Sequence, residues 1–189
     1  GDDGRAGNPA GEGGEYPVAY FWEEICRRDA FLRIFHSFVY VEKKNVVDLK
    51  GNWSVKETLI FPRFHQFDAV NRMIADAKAR GPGHPYLCEH SAGSTIAWTA
   101  HDLVKLRRDD GTPIFDTVII VTDRNVLDGQ LQDAVQQIDH QKGLIAAIDR
   151  ETSSKSKSDQ LSEAMLKGTP IIVVTIQTFP FAMEAILTE

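Results

Sequence analysis

The fold class is decided by the run Val118-Ile119-Ile120-Val121-Thr122-Asp123-Arg124. Its first four residues are apolar and β-branched, which is typical of a strand buried on both faces of a parallel sheet. A second run of the same character is Ile171-Ile172-Val173-Val174. From Phe61 onward, strand-like segments alternate with helical patterns, and this alternation predicts a parallel, doubly wound α/β sheet.

The remaining elements of that sheet follow from apolar spacing and turn residues. The sequence predicts short strands over 86–88 and 144–148. Helices are predicted over 61–79, 95–106, 128–137, 160–166 and from 179 onward. In the second of these helices we expect the apolar side chains to face the core, and these are Ile96, Leu103 and Leu106.

The first third of the chain has a different character. Residues 1–15 are rich in Gly, Asp and Glu, which predicts a linker. In residues 16–41, apolar side chains recur at helical spacing, and Gly51-Asn52 is a turn signal. We therefore expect a helical lead-in over 16–56, followed by the α/β region over 57–189.

Composition limits the classes of function. The net charge is −6, so no overall positive field attracts nucleic acid, and any DNA contact must be local. No run of about 18 apolar residues and no secretory signal is seen, so we expect a cytoplasmic protein that makes no membrane contact. Cys26 and Cys88 lack metal-ligand spacing and are expected to be reduced core thiols.

A glycine turn is predicted between a strand and a helix, at Glu89-His90-Ser91-Ala92-Gly93-Ser94-Thr95. Free backbone N–H groups converge at such a helix start and can bind a phosphate. A complete phosphate loop, G-x-x-x-x-G-K-[ST], adds a lysine for the phosphates and a hydroxyl for Mg²⁺. Here the second glycine and the lysine are missing. An ordinary strand-to-helix turn, with Ser94 or Thr95 as N-cap, is the alternative.

Six blocks of residues carry a family resemblance that covers residues 16–181 and the segment before them. In chain order they are Gly4-Arg5-Ala6-Gly7-Asn8-Pro9; Tyr20-Phe21-Trp22-Glu23-Glu24; Lys56-Glu57-Thr58-Leu59-Ile60-Phe61-Pro62-Arg63-Phe64-His65-Gln66; His90-Ser91-Ala92-Gly93-Ser94 with Ile96-Ala97-Trp98; Val121-Thr122-Asp123-Arg124 with Leu127, Gln130 and Leu131; and Thr175-Ile176-Gln177-Thr178-Phe179-Pro180-Phe181. Together they resemble the restriction (R, motor) subunit of type I restriction-modification enzymes, a superfamily 2 helicase-like translocase with an added nuclease domain.

This resemblance implies a RecA-like fold of the P-loop NTPase class, of which the chain holds the N-terminal part of the first motor lobe. The implied cofactors are ATP and Mg²⁺. The implied ATP-binding residues are Arg63, Gln66, Ser91, Ala92, Gly93, Ser94 and Thr95, with Gln66 on the adenine edge. The implied DNA-binding residues are Thr122, Asp123, Arg124, Gln130 and Thr175. No catalytic residue and no metal ligand is assigned.

Structural alternatives stand beside these roles. Gln66 could be a helix-surface amide. Asp123 could cap the next helix and pair with Arg124, and Thr175 could be a strand-end hydroxyl that is bonded locally.

The family pattern also has about four residues more than this chain between Gly93 and Ile96, and the lysine is one of them. Either the printed numbering joins two segments that the natural chain separates, or the protein lacks the lysine. In the second case ATP affinity and hydrolysis should nearly vanish, because the lysine grips the phosphates and neutralises their charge.

The resemblance implies that the whole protein is an ATP-dependent type I site-specific deoxyribonuclease that translocates duplex DNA before cleavage, and that this part alone is inactive. Its partners would be double-stranded DNA and the methyltransferase (modification) and specificity subunits. A rival hypothesis is a non-catalytic nucleotide- or DNA-docking module that has lost the lysine. A third is an α/β domain that binds another anion at the Gly93 turn.

Overall fold

The computed structural model describes residues 16, 18–89, 93–123, 125–138, 144–148, 156–177 and 180. The chain divides into two compact units, Gly1–Arg72 and Met73–Glu189. The boundary between them falls within one long helix. In the described part of the chain, no helix is both long and apolar enough to cross a bilayer.

The first unit begins with helical turns and continues as a hairpin. Helix α1 (Arg28–Arg33) is flanked by two π-helical turns, Phe21–Ile25 and Ile34–Phe38. Strands β1 (Tyr40–Val47) and β2 (Trp53–Ile60) then pair antiparallel. The helical part of the predicted lead-in is therefore shorter than expected, since it ends at Phe38.

The hairpin connection and the apolar centre of this unit follow from local chemistry. The predicted turn is present, because Gly51 adopts a φ of 82° that other residues rarely accept. The Asp48 carboxylate accepts hydrogen bonds from the backbone N–H groups of Lys50 (2.8 Å) and Asn52 (2.9 Å). Phe38 is buried and packs edge-on against Phe67, with 5.2 Å between the ring centroids.

The second unit contains the predicted parallel sheet. Helix α2 (Phe64–Arg80) crosses the unit boundary and ends at Gly81, whose φ is 76°. The following elements alternate: α3 (Ser94–Lys105), β3 (Val118–Thr122), α4 (Asn125–Ile138), β4 (Ile145–Ala147), α5 (Lys157–Leu166) and β5 (Ile171–Thr175). The strand order is β3-β5-β4, and both pairings are parallel. An α/β fold with a parallel sheet is thus confirmed over three strands.

Strand β5 is the central strand of the sheet, and elements of the fold pack against both of its faces. Ile171 and Val173 pack into a core with residues of α3, α4 and β3, namely Ala97, Ala100, Val104, Ile120, Leu131 and Val135. The alternate residues Ile172 and Val174 pack into a second core with Ile148, Leu161 and Ala164. All five β5 residues are buried, and full burial of each aliphatic side chain contributes about 1.5–3 kcal/mol.

Several expectations about single segments are wrong. Residues 86–88 form no strand, and Leu87 and Cys88 are exposed. Cys26 is exposed as well, so neither cysteine is a core thiol. Ile96 is exposed, because the buried face of α3 consists of Thr95, Trp98, His101 and Asp102 together with small apolar residues. The helix predicted from 179 onward lies outside the described residues.

Candidate functional site

Two threonines from distant parts of the sequence meet at the carboxyl edge of the sheet. Thr122 ends β3 and Thr175 ends β5, and the two are partners in the parallel register. The Ile176 N–H donates to the Thr122 carbonyl (2.8 Å), and the Gln177 amide Nε2 donates to the Asp123 carbonyl (3.3 Å). Ligands of parallel α/β sheets bind beyond the carboxyl ends of the strands. The structure therefore brings Thr122, Asp123 and Thr175 together at the edge where sheets of this type place their ligands.

The Thr122 side chain is the least satisfied group of this edge. The residue is only 7% exposed, and its Oγ1 atom has no hydrogen-bond partner in the described part of the chain. A buried hydroxyl without a partner costs about 1–3 kcal/mol. Thr175, which is 2% exposed, does have a polar interaction. Thr122 is thus the more distinctive candidate for a ligand contact.

Two further predicted DNA contacts are less fully described. Arg124 lies outside the described residues, so its pairing with Asp123 is not tested. Gln130 is part of α4, but its side chain is not among those described. Gln177 was not among the predicted contacts, although its position two residues beyond a buried strand is a signal for this edge.

The glycine turn leads directly into α3. Gly93 is the N-cap residue, and its carbonyl accepts from the Ile96 N–H (3.0 Å) and the Ala97 N–H (3.2 Å). The cap is Gly93 and not Ser94 or Thr95, and among the described residues no side chain caps this terminus. A helix N-terminus without a side-chain cap presents backbone donors and the positive end of its dipole. Its chemistry suits a phosphate group. Ser91 and Ala92 lie outside the described residues.

The fold itself does not require glycine at position 93. Its φ is −63°, which any residue adopts. A Cβ atom placed there would meet Leu131 Cδ1 at 3.6 Å, an ordinary van der Waals contact. Neither strain nor crowding therefore accounts for this glycine.

No lysine is close in sequence to the start of α3. The sequence contains no lysine between Lys78 and Lys105. Lys105 ends α3, and at 1.5 Å per residue it lies roughly 16 Å from the first turn. Thr95 is buried and has a polar interaction of its own. The described part of the turn offers backbone donors that suit a phosphate anion, and no lysine follows Gly93 before Lys105.

Gln66 lies at the start of α2 and has a structural role there. Its Oε1 accepts from the Arg63 backbone N–H (3.0 Å), and its own N–H donates to the Arg63 carbonyl (3.0 Å). The first of these bonds is one half of a capping box, and the second is a backbone turn at the start of α2. Gln66 is buried and Arg63 is exposed. The alternative of a helix-surface amide is therefore wrong, and the adenine-reading role is not tested.

A polar cluster joins the end of α2 to the segment that approaches the glycine turn. The Tyr86 hydroxyl donates to the Asp76 carboxylate (2.6 Å), which also pairs with Arg80. Hydrogen bonds from Arg80 and then Tyr86 hold the pKa of Asp76 below its ordinary value. The same Asp76 contact raises the pKa of Tyr86. Among the described residues, no group of His, Cys, Asp and Glu side chains could hold a metal ion.

Comparison with known proteins assigns the family. A family model described as SWI2/SNF2 ATPase matches residues 65–188, about two thirds of the chain. No curated protein and no solved structure matches it. The matched span covers the glycine turn and the sheet with its two edge threonines. This agrees with a superfamily 2 helicase-like ATPase, and the chain belongs to the SWI2/SNF2 ATPase family.

Proposed function

We propose that this chain is the N-terminal part of the first motor lobe of the ATP-dependent, DNA-translocating subunit of a type I restriction enzyme. The observation that carries the proposal is the pairing of Thr122 with Thr175 at the carboxyl edge of the sheet. These residues belong to two of the six sequence blocks and are more than 50 positions apart. The family match supports the ATPase part of the proposal.

In this role the edge residues hold the DNA backbone. The Thr122 hydroxyl donates to a phosphate oxygen, and Arg124 neutralises the charge of the same strand. Thr175 and Gln130 extend the contact. None of these groups reads a base, which suits a motor that moves along any sequence while a separate specificity subunit selects the target.

In this proposal the nucleotide binds at the starts of helices α2 and α3. Gln66 would contact the adenine edge and Arg63 another part of the nucleotide, and the first turn of α3 after Gly93 would bind a phosphate through backbone N–H groups. Bound ATP with Mg²⁺ would supply the free energy for translocation. The duplex DNA, the modification and specificity subunits and a cytoplasmic location complete the proposal.

The missing lysine favours a second candidate function. Because no lysine lies between Lys78 and Lys105, the turn after residue 89 lacks the side-chain charge that hydrolysis requires. A non-catalytic module that docks a nucleotide or DNA would keep the sheet edge and the α3 terminus without that charge. This candidate predicts anion binding without turnover.

The two candidates are separated by measuring ATP hydrolysis by the complete protein with and without duplex DNA. Turnover that DNA stimulates supports the motor, and a background rate in both conditions supports the docking module. Tryptic peptide mass analysis is the companion measurement. The sequence as printed releases Gly81–Lys105 as one peptide, whereas a lysine after Gly93 would divide it.

A further inference from the structure

A cavity with three cationic side chains lies at the other end of the sheet. The connection from α3 to β3 reaches β3 at its amino end, opposite the edge that carries Thr122 and Thr175. The cavity has a volume of about 430 Å³. Its lining residues are Lys78, Arg107, Arg108, Asp109, Asp110 and Ile114. Neither the proposed motor role nor the docking alternative uses these residues.

The loop that forms this cavity is held in one shape by its own hydrogen bonds. Arg107 and Pro113 form an antiparallel bridge, and the Arg108 N–H donates to the Thr112 carbonyl (2.8 Å). Gly111 completes the turn with a φ of 84°. The Asp110 carboxylate accepts from the Thr112 N–H (2.9 Å) and hydroxyl (2.6 Å). A ligand would therefore meet a preorganised loop, which lowers the entropy cost of binding.

The two arginines are anchored but keep donors for a ligand. Arg107 Nη1 donates to the carbonyls of Val104 (2.7 Å) and Leu106 (3.0 Å) at the end of α3. Arg108 Nη1 donates to the Pro113 carbonyl (2.5 Å). Each guanidinium has five N–H donors, so most of them remain available.

The positive charges of the cavity are not neutralised by ion pairs. In the part of the chain that the structure describes, Lys78, Arg107 and Arg108 form no ion pair with a carboxylate. Hydrogen bonds from Thr112 hold the pKa of Asp110 below its ordinary value, so this carboxylate stays ionised beside them. The positive charge of Arg108 lowers this pKa further, so the lining carries three cations and two carboxylates, an excess of one formal positive charge.

We propose that this cavity is a docking site for an acidic segment of a partner protein. Carboxylates of that segment would pair with Lys78, Arg107 and Arg108. Bidentate pairing with a guanidinium would fix the orientation of each carboxylate. Asp109 and Asp110 make the lining bipolar, and the net charge of the chain is −6. The two carboxylates repel a continuous row of DNA phosphates, whereas an acidic peptide whose carboxylates are spaced by uncharged residues can place them on the cations alone.

The position of the cavity separates this binding from the proposed DNA contact. Strand β3 has five residues, so the two edges of the sheet are roughly 16 Å apart at 3.3 Å per residue. A partner seated at the amino edge leaves Thr122 and Thr175 accessible. The inference therefore does not depend on the motor role.

The test is fluorescence anisotropy of the complete protein at low salt with a labelled peptide in which glutamates alternate with serines. We expect saturable binding that weakens as salt is added, and Lys78→Glu should weaken it roughly fivefold by replacing an attraction with a repulsion. Lys50→Glu is the matched control, because Lys50 is exposed and does not line the cavity. Arg108→Gln serves as a second variant that removes charge and keeps a donor.

Three outcomes overturn the inference. The first is absence of binding by the peptide. The second is an equal loss of affinity in Lys78→Glu and Lys50→Glu, which would indicate a general charge effect. The third is displacement of the peptide by duplex DNA with the same sensitivity to Lys78→Glu, which would make the cavity a phosphate site.

Discussion

The buried hydroxyl of Thr122 allows the structural and functional roles of the sheet edge to be separated. Thr122→Val replaces a hydroxyl that has no hydrogen-bond partner with a methyl group of similar volume. An unsatisfied buried hydroxyl costs about 1–3 kcal/mol, so we expect the variant to be more stable by about 1–2 kcal/mol. For a chain of this length each kcal/mol corresponds to about 2–4 °C in Tm.

The assay combines urea unfolding with DNA binding by the same protein. If Thr122 donates to a DNA phosphate, the stabilised variant should bind duplex DNA about three- to tenfold more weakly, the equivalent of one hydrogen bond. Thr175→Val is the matched control one strand away, and because Thr175 has a polar interaction it should not stabilise the fold. A Thr122→Val variant that is less stable than the original would refute the reasoning about the orphan hydroxyl. Unchanged DNA affinity would refute the proposed contact.

Three further perturbations test the rest of the structure. Gln66→Ala should lower stability by about 1 kcal/mol in urea unfolding, because the Arg63 N–H, just before α2, loses its acceptor; an unchanged midpoint would argue against this capping bond. Leu161→Ala should cost about 2–5 kcal/mol, whereas Leu166→Ala on the same helix should stay within about 0.5 kcal/mol, since Leu161 is fully buried and Leu166 is 74% exposed. The lowered pKa of Asp76 contributes stability that is present above its unfolded pKa and is lost as pH falls through the lower folded value. Asp76→Asn should therefore lose less Tm than the original between about pH 5 and about pH 3, and an identical loss in both proteins would contradict the Arg80 pairing.

The parallel sheet was predictable because the sequences of its strands are apolar and β-branched. Ile119 and Ile172 lie in unbroken β-branched runs, which few structures other than a doubly covered strand can bury. The β1–β2 hairpin gave no such signal. Its strands interleave charged residues such as Lys43 and Glu57 with exposed valines, so no apolar stripe marks either face.

The shared sheet edge of Thr122 and Thr175 was predictable for the same reason. That Thr122 and Thr175 should share an edge follows from parallel pairing, which the sequence indicates. The capping role of Gln66 depends on a hydrogen bond to the Arg63 N–H, three residues earlier. Residue types alone do not show whether a glutamine makes this bond or lies on the helix surface. In α3, the inward position of His101 depends on its 2.7 Å contact with the Val135 carbonyl, and such a tertiary contact overrides the apolar period that favoured Ile96.

The exposed hairpin has a consequence for the behaviour of the protein at high concentration. In the part of the chain that the structure describes, β1 and β2 pair only with each other, so each strand keeps one unpaired edge. Unpaired edges are templates for strand addition between molecules, especially beside apolar side chains such as Trp53 and Leu59. The charged residues spaced along both strands, Lys43 and Lys56 among them, oppose that association by burying charge whenever two edges meet. The charged residues that leave this hairpin without an apolar stripe thus also protect it from self-assembly.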